Sequence, residues 1–249
     1  MEDVVAEVKQ SSAEETVLTG IDVSAYKDEK GNTFCDLLRA LKEVDTRIRI
    51  GSMEVSLITD EFLAAAKSMK NFAPHFHLSL QSGSDKVLKS MNRHYTREEY
   101  LSACKSIYDA FENASITTDI IVGFPTETEE DFLDSVRIVE EAGFSQIHAF
   151  PYSPREGTNA YKKYKELPSA VKKDRVERIL SVGKRQKERY LQAFIGKTLE
   201  MIPERFDGEY TDGYSENYIR LYLPQETDKK PLKVRATRLF EDGLQVEKI

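Results

Sequence analysis

Alternating strand and helix patterns predict an α/β protein whose strands run parallel. The β-branched residues in 116–122 indicate a buried strand, which Gly123 and Pro125 end in a tight turn. Thr126, with Glu129 three residues on, predicts the capping box of the next helix. Five such strands alternate with helices at a spacing of about 30 residues, the period of a βαβ unit. A parallel sheet, open or curved into a partial barrel, is therefore expected.

Each remaining element of this α/β part has its own local signal. A short helix is predicted at residues 2–10, and the later helices begin at the capping residues Thr33, Thr59, Thr96 and Thr126. The predicted strands are residues 15–21, 47–53, 76–81, 116–122 and 146–152. Five strands cannot make a complete eight-stranded barrel. A partial barrel and a doubly wound sheet both stay open.

A different pattern begins after Pro154. Residues 155–166 are polar and predict a loop with a short helix, and a long helix follows from Pro168 to about Phe194. Short strands are predicted at 198–205, 217–223, 233–239 and 244–247, with turns at Asp207-Gly208, Asp212-Gly213 and Asp242-Gly243. Short strands with glycine turns are typical of a small β-barrel of the OB type. The predicted domains are 1–195 and 196–249.

Composition excludes several classes of protein. The chain has 249 residues, 40% of them hydrophobic, and no apolar run approaches the roughly 20 residues of a membrane span. The first ten residues are acidic and lack the apolar segment of a signal peptide, which predicts a cytoplasmic protein. Cys35 and Cys104 lie far apart, so the sequence predicts buried thiols and neither a disulfide nor a cysteine-based metal site.

The net charge of −7 is distributed unevenly. Residues 155–197, the basic belt, carry 13 Lys and Arg against 5 Asp and Glu, whereas the rest of the chain is acidic. Such an asymmetry attracts phosphates. The alternative is a solvated helix surface of alternating charge, and both interpretations stay open.

Small and polar residues follow nearly every predicted strand of the α/β part. The carboxyl ends of parallel strands are where ligands bind in such folds. Glycine lets a ligand approach the backbone closely, and hydroxyl, carboxylate, amide and aromatic groups suit a ligand with a ribose, an amino-acid part and a flat base. The residues predicted to form this rim are Gly20, Ser52, Glu54, Gln81, Ser82, Gly123, Phe124, Pro125 and Tyr152.

Other catalytic motifs are missing. The sequence shows no locatable Ser–His–Asp arrangement and no Walker glycine loop. His75 and His77 lie two residues apart at the start of a strand, which is weak spacing for a metal site. No catalytic residue and no metal ligand is assigned.

Four blocks carry a resemblance to a known family: 77–83 (HLSLQSG), 91–96 (MNRHYT), 119–128 (DIIVGFPTET) and 150–158 (FPYSPREGT). In order and spacing they resemble the radical S-adenosylmethionine methylthiotransferases, and the resemblance extends over residues 1 to 249. The last domain resembles the TRAM domain of that family, an OB-like RNA-binding module. Two further blocks, 17–22 and 213–218, are most similar to the branch that modifies threonylcarbamoyladenosine next to the tRNA anticodon. The isopentenyladenosine branch and the ribosomal-protein branch differ at the first of these.

The resemblance implies a partial β/α barrel that binds S-adenosylmethionine at the rim and adds a methylthio group to adenosine C2. Carried over by position, Gly20, Ser52, Glu54, Gln81, Gly123, Phe124 and Tyr152 line the S-adenosylmethionine pocket. tRNA is the implied macromolecular partner, bound by phosphate contacts and aromatic stacking. The residues expected to contact RNA are Arg155, Lys172, Lys173, Lys184, Arg185, Tyr214, Tyr218 and Arg220.

One departure from the family is large. Its members hold a [4Fe–4S] cluster on a CxxxCxxC loop and a second cluster in an N-terminal domain. Three thiolates are needed, and Cys35 and Cys104 cannot supply them. The expectation is a fragment of a longer enzyme, inactive by itself. The alternatives are a stand-alone RNA-binding protein with a degenerate barrel, a methylthiotransferase of the isopentenyladenosine or ribosomal-protein branch, or a different radical enzyme with the same barrel. No oligomeric state is predicted.

Overall fold

The computed structural model describes residues 1–249 and confirms an α/β protein with parallel strands. The helices are α1 (Glu2–Gln10), α2 (Phe34–Ala40), α3 (Asp60–Lys67), α4 (Asp85–Ser90), α5 (Arg97–Ala110), α6 (Glu129–Glu141), α7 (Asn159–Lys163) and α8 (Ser169–Gln192). The strands are β1 (Glu15–Leu18), β2 (Arg47–Ile50), β3 (Ser52–Met53), β4 (His75–Leu78), β5 (Ser115–Val122), β6 (Gln146–Pro151), β7 (Thr198–Phe206), β8 (Thr211–Tyr214), β9 (Arg220–Leu223), β10 (Leu232–Phe240) and β11 (Gly243–Lys248). No helix of the chain combines the length and apolar character needed to cross a membrane.

The first of two compact units comprises Met1–Phe76, Ile107–Ser115 and Glu188–Ile249. In it β1 and β2 pair in parallel, and the amide of Gly51 donates to the carbonyl of Leu18 just past the paired residues. Thr33 caps α2 as predicted, and it forms a capping box with Asp36. The predicted caps therefore fix the helix starts in this unit.

The same unit contains a closed five-stranded barrel, in the order β10-β11-β9-β8-β7. All neighbouring pairs are antiparallel except β11 with β9, which are parallel. Strand residues with alternating burial fill its core, among them the fully buried Met201, Leu221 and Val234. A closed barrel leaves no long strand edge exposed.

Two sequence predictions within the barrel are wrong. Asp212-Gly213 is part of β8 and not a turn. A Cβ atom on Gly213 would lie 2.2 Å from the carbonyl oxygen of Ile202 on β7, so glycine is needed for close strand approach and not for a bend. The strand predicted from residue 217 begins at Arg220, because Ser215 to Tyr218 form a turn closed by the Tyr218 amide and the Ser215 carbonyl.

The second unit comprises His77–Ser106 and Ile116–Lys187. Here β5 and β6 pair in parallel along the length of β6. On one face of β5 Ile116, Thr118, Ile120 and Val122 are fully buried, and the Tyr100 hydroxyl of α5 lies 3.3 Å from the hydroxyl of Thr118. That face of the sheet therefore forms the core under the helices.

The capping box predicted at Thr126 and Glu129 is wrong, although a helix does follow. Thr128 caps α6, and its hydroxyl accepts from the Asp131 amide while the Asp131 carboxylate accepts from the Thr128 amide. Residues before Thr128 are held in a turn by the Glu127 amide, which donates to the Phe124 carbonyl at 2.8 Å. The helix therefore starts two residues later than predicted.

Helix α8 packs closely against β6 at Gly183. A Cβ atom there would lie 2.4 Å from Cγ1 of Ile147. In a helix interior, alanine is normally more favourable than glycine by about 1 kcal/mol. We nevertheless expect Gly183→Ala to lower the free energy of unfolding by about 1–3 kcal/mol, because it overpacks the core. Urea denaturation measures this, and in the double variant with Ile147→Ala the two losses should sum to less than their separate values, because the shorter side chain makes room for the new methyl group. A more stable single variant would contradict the packing described.

Candidate functional site

The turn after β5 is closed by hydrogen bonds to buried groups. Gly123 has a φ of +73°, the left-handed region that glycine adopts at little cost. Its amide donates to Oε1 of Glu127 at 2.8 Å. Together with the bond from the Glu127 amide to the Phe124 carbonyl, this contact fixes residues 123–127 as one compact turn at a strand end.

The Glu127 carboxylate is balanced by a cation from α8. Nη1 of Arg175 lies 2.6 Å from Oε1 of Glu127 and 3.3 Å from its carbonyl oxygen. The Glu127 and Arg175 side chains are only 0% and 6% exposed. Burial raises the pKa of Glu127, and the Gly123 amide and Arg175 act in the opposite direction. Since a buried carboxylate is costly without a partner, Arg175 stabilises the turn.

A second α8 cation, Lys172, reaches the same region. A Cβ atom on Gly123 would lie 2.4 Å from Cγ of Lys172, so the lysine stem packs directly on the turn. Nζ of Lys172 donates to the Tyr152 carbonyl at 3.0 Å and pairs with the Glu166 carboxylate. Lys172 is 8% exposed. Its ammonium group is therefore engaged within the protein, which disfavours the phosphate contact predicted for Lys172 from the sequence.

The segment after β4 also ends in an unusual conformation. Gln81 has a φ of +67°, and a left-handed conformation costs a non-glycine residue about 1–2 kcal/mol. Its amide donates to the Asp119 carbonyl and its carbonyl accepts from the Ile121 amide, so it stays hydrogen-bonded beside β5 although the regular strand ends at Leu78. Strained residues of this kind concentrate at functional sites.

Helix α6 holds the loop after Gln81 in place. A Cβ atom on Gly83 would lie 2.5 Å from the Cα of Ser135, and the Gly83 amide donates to the Ser135 hydroxyl at 2.8 Å. The Asp131 carboxylate accepts from the Ser84 hydroxyl and from Nζ of Lys86. The pKa of Asp131 is lowered although burial opposes this, because Lys86, Thr128 and Ser84 all donate to the carboxylate.

The second unit thus brings six predicted rim residues to adjacent strand ends, but not all present their side chains. Ser82 is fully buried, and its hydroxyl accepts from the Ser84 amide. Phe124 is 5% exposed and contacts the rings of Tyr152 and Tyr164 edge-on. Gly123 is buried, whereas Gln81, Pro125 and Tyr152 are half-buried. The accessible groups are therefore the Gln81 amide, the Pro125 ring and the Tyr152 ring.

In the first unit the three predicted rim residues are all exposed. Gly20 follows β1, Ser52 and Glu54 follow β2, and these two strands are parallel neighbours. A Cβ atom on Gly20 would meet only Cγ1 of Val23, at 3.7 Å. The Glu54 amide donates to the Ser24 hydroxyl at 3.3 Å. These strand ends therefore place a glycine, a hydroxyl and a carboxylate at the surface.

The residues predicted to contact RNA fall into two sets. In the second unit Arg155, Lys173, Lys184 and Arg185 are exposed, the last three on α8. In the first unit, the rings of Tyr214 and Tyr218 stack at 4.5 Å with 14° between their planes. Arg220 pairs with Asp212 at 2.8 Å.

Two neighbours of Tyr218 were not predicted from the sequence. The guanidinium of Arg49 lies 4.0 Å from the Tyr218 ring centroid, which is cation–π geometry, and the His75 ring lies at 4.7 Å. Tyr218 has a φ of +63° and is 39% exposed. Arg49 alternates with Ile48 and Ile50 along β2, but nothing in that pattern predicts a contact with Tyr218. Glu127 and Arg175 were missed in the same way, because their pairing depends on tertiary structure.

The structure shows no group of three or more His, Cys, Asp or Glu residues that could hold a metal ion. Cys35 and Cys104 are both buried and form no disulfide. Burial raises the pKa of Cys35 and raises that of Cys104 to about 12. Thiolates, the form that binds metals, are thus disfavoured at both positions.

The chain is similar to a known family of proteins. The family model described as the radical SAM superfamily matches residues 1–139. The threonylcarbamoyladenosine tRNA methylthiotransferase MtaB of Thermotoga maritima is 34% identical over 242 residues, which are 96% of this chain and 56% of the relative. The tRNA-2-methylthio-N(6)-dimethylallyladenosine synthase of Thermobifida fusca is 38% identical over 217 residues, 84% of this chain and 44% of the relative. The chain thus spans about half the length of these curated relatives.

A solved structure shares the fold at low identity. The archaeal Elp3 of Methanocaldococcus infernus, with an N-terminal deletion, has a TM-score of 0.50 and 12% identity, and the match covers 93% of this chain and 74% of that one. At this identity the likeness concerns the fold alone.

Removing the Arg175 cation should destabilise the protein strongly. We expect Arg175→Met to lower the free energy of unfolding by about 3–5 kcal/mol, because it leaves the Glu127 carboxylate buried without its partner. Adding Glu127→Gln should recover part of this loss. Urea denaturation of the two variants measures both effects. A loss below about 1 kcal/mol for the single variant would show that the pair contributes little.

Stability should depend on pH through Asp131. Its pKa is lowered in the folded state, so its contribution is complete above the unfolded-state pKa of about 3.9 and is lost as the pH falls through the folded-state pKa. In thermal melts we expect Asp131→Asn to be less stable than wild type at neutral pH and to lose less stability on acidification to about pH 3. Identical pH profiles for both proteins would contradict this role.

Proposed function

Because the chain belongs to the radical SAM superfamily, we propose that it is the S-adenosylmethionine- and tRNA-binding part of a tRNA methylthiotransferase. The proposed reaction adds a methylthio group at C2 of N6-threonylcarbamoyladenosine next to the anticodon. The observation that carries the proposal is the match of nearly the whole chain to the Thermotoga enzyme. Polar turns that follow adjacent parallel strands within each unit support it.

The groups at these strand ends fit S-adenosylmethionine, which when bound supplies the methyl group. In the second unit we assign to binding the three accessible groups on the turns after the strands, which are the Gln81 side chain and the rings of Pro125 and Tyr152. Ser82 and Phe124, whose side chains are buried, position these turns. In the first unit Gly20, Ser52 and Glu54 offer a close backbone approach, a hydroxyl and a carboxylate. The Glu127–Arg175 pair orients the Gly123 turn without touching the ligand.

The residues of this chain do not fit an iron–sulfur cluster. A [4Fe–4S] cluster open to a cofactor needs three thiolates, and the two cysteines are buried as thiols. We therefore assign the clusters of the proposed enzyme to residues outside this sequence and derive no step through them. Reconstitution of this chain with iron and sulfide should give no cluster absorbance.

RNA is the second ligand that we propose for this chain. The barrel has five strands whose third and fifth members pair, in keeping with an OB-like TRAM domain over residues 196–249 that follows a partial barrel over residues 1–195. Tyr214 and Tyr218, with Arg49 against the ring, resemble a stacking platform. Exposed Arg155, Lys173, Lys184 and Arg185 supply phosphate contacts. Because tRNA is the proposed substrate, we also propose a cytoplasmic location.

A second candidate is a stand-alone RNA-binding protein with a degenerate barrel. The two buried cysteines favour it, because they cannot hold the cluster that radical chemistry of this kind requires. Equilibrium dialysis with S-adenosylmethionine separates the candidates, since the methylthiotransferase part should retain the nucleoside-bearing ligand and the degenerate barrel should not.

RNA binding should depend on the exposed cations of α8. We expect Lys173→Glu with Lys184→Glu to weaken tRNA binding and to reduce the slope of log Kd against log salt by about 0.9 for each phosphate that is no longer neutralised. Filter binding at several salt concentrations measures this. The matched control is Lys67→Glu with Lys89→Glu, which makes the same change of charge at exposed positions outside the belt. Equal slopes for both double variants would count against the belt as an RNA surface.

A further inference from the structure

One face of the sheet in the second unit is partly exposed and chemically mixed. Successive strand residues point to opposite faces, so Thr117, Asp119 and Ile121 share the face of β5 opposite its fully buried residues. The register of β5 and β6 places Asp119 beside His148 and Ile121 beside Phe150. Strands β4, β5 and β6 are neighbours in that order. His77 on β4 contacts Thr117 and Asp119, and so completes a row across three strands.

The polar members of this row are linked through His77. Its Nδ1 lies 2.9 Å from the Thr117 hydroxyl and its Nε2 lies 3.4 Å from Oδ2 of Asp119. The His77 and His148 rings are 6.4 Å apart between centroids. A neutral His77 can accept from Thr117 while its Nε2–H faces Asp119. The row thus presents a carboxylate and two imidazoles on one surface.

An aromatic ring lies beside this polar row. Phe150 is 50% exposed, and His148, two residues before it on the same strand, is exposed too. Parallel sheets are normally covered on both faces, so an exposed phenylalanine and histidine within such a sheet suggest a ligand. A flat ring flanked by hydrogen-bonding groups is how proteins hold a nucleobase.

We infer, resting on the proposed function, that this face reads the N6 substituent of the target adenosine. Phe150 packs against the purine ring, Asp119 accepts from the N–H groups of the threonylcarbamoyl urea, and His148 donates to the threonine carboxylate. Asp119 keeps its orientation through His77. A dimethylallyl group keeps the N6–H but adds neither a second N–H nor a carboxylate, so Asp119 would lose one donor and His148 would be desolvated without a partner.

The polar row favours threonylcarbamoyladenosine over dimethylallyladenosine as the substrate. The relatives named above act on threonylcarbamoyladenosine in one case and dimethylallyladenosine in the other, at comparable identity. The carboxylate and imidazoles of the row complement the polar substituent and not the hydrocarbon one. Asp119 and His148 contact the substituent, and His77 orients Asp119. None of the three takes part in bond making or breaking.

The test is equilibrium binding of the whole chain to synthetic anticodon stem-loop RNAs that differ at one base. The base is threonylcarbamoyladenosine, dimethylallyladenosine or plain adenosine. We expect wild type to prefer the threonylcarbamoyl RNA over the dimethylallyl RNA by about tenfold or more. Asp119→Asn and His148→Ala should each reduce this preference to about threefold or less, because each removes a contact that the threonylcarbamoyl group makes and the dimethylallyl group cannot make. His94→Ala, an exposed histidine between α4 and α5, is the matched control and should keep the full preference.

The outcomes separate the inference from the proposed function. A preference for the dimethylallyl RNA, or a preference that survives both variants, overturns the inference while tRNA binding stands. If wild type binds none of the RNAs, the proposed function fails, and the face is then tested by NMR titration with free N6-threonylcarbamoyladenosine. Binding of that nucleoside by wild type and its loss in His148→Ala supports the inference. No binding by wild type overturns it.

Discussion

A carboxylate that is sealed from water and held by one guanidinium organises the region around the strand-end turn after β5. The Glu127 carboxylate accepts from the Gly123 amide and pairs with Arg175, and none of its side chain is exposed. Each contact depends on the others. The Gly123 turn needs an acceptor, the acceptor needs a cation, and the cation must come from α8, far away in sequence. A single interaction therefore ties strand end, turn and helix together.

The cations of α8 have two different roles. The sequence of the basic belt suggested a single electrostatic role, but some of these cations are buried and others are exposed. Lys172 and Arg175 are buried and hold strand-end segments, whereas Lys173, Lys184 and Arg185 are exposed. Buried charges of this kind set geometry, and removing one partner costs more than the pair contributes. Exposed charges act at longer range and are screened by salt.

Local sequence signals predicted the fold well where the determinant is local. The capping boxes at Thr33 and Thr96 start their helices as expected, because donor and acceptor lie three residues apart. Thr126 and Thr128 have equivalent spacing to an acidic residue. The choice between them is made by the turn before Thr128, which depends on Arg175 and so could not be predicted locally. Gly213 was predicted as a turn for a similar reason, since the contact that requires it lies on another strand.

The candidate site was predictable as a set of strand ends, but not as a set of side chains. Strand position predicted that Gln81 and Gly123 lie at neighbouring strand ends, whereas nothing local indicated that Phe124 and Ser82 point inward. Native-state hydrogen exchange at the Gly123 amide tests most directly whether the Glu127–Arg175 pair holds the turn. Wild type and Arg178→Met should exchange it slowly, because a buried carboxylate accepts it, and Arg175→Met should exchange it much faster through local opening. Fast exchange in wild type, or equal rates in the two variants, would contradict the claim that this ion pair holds the turn.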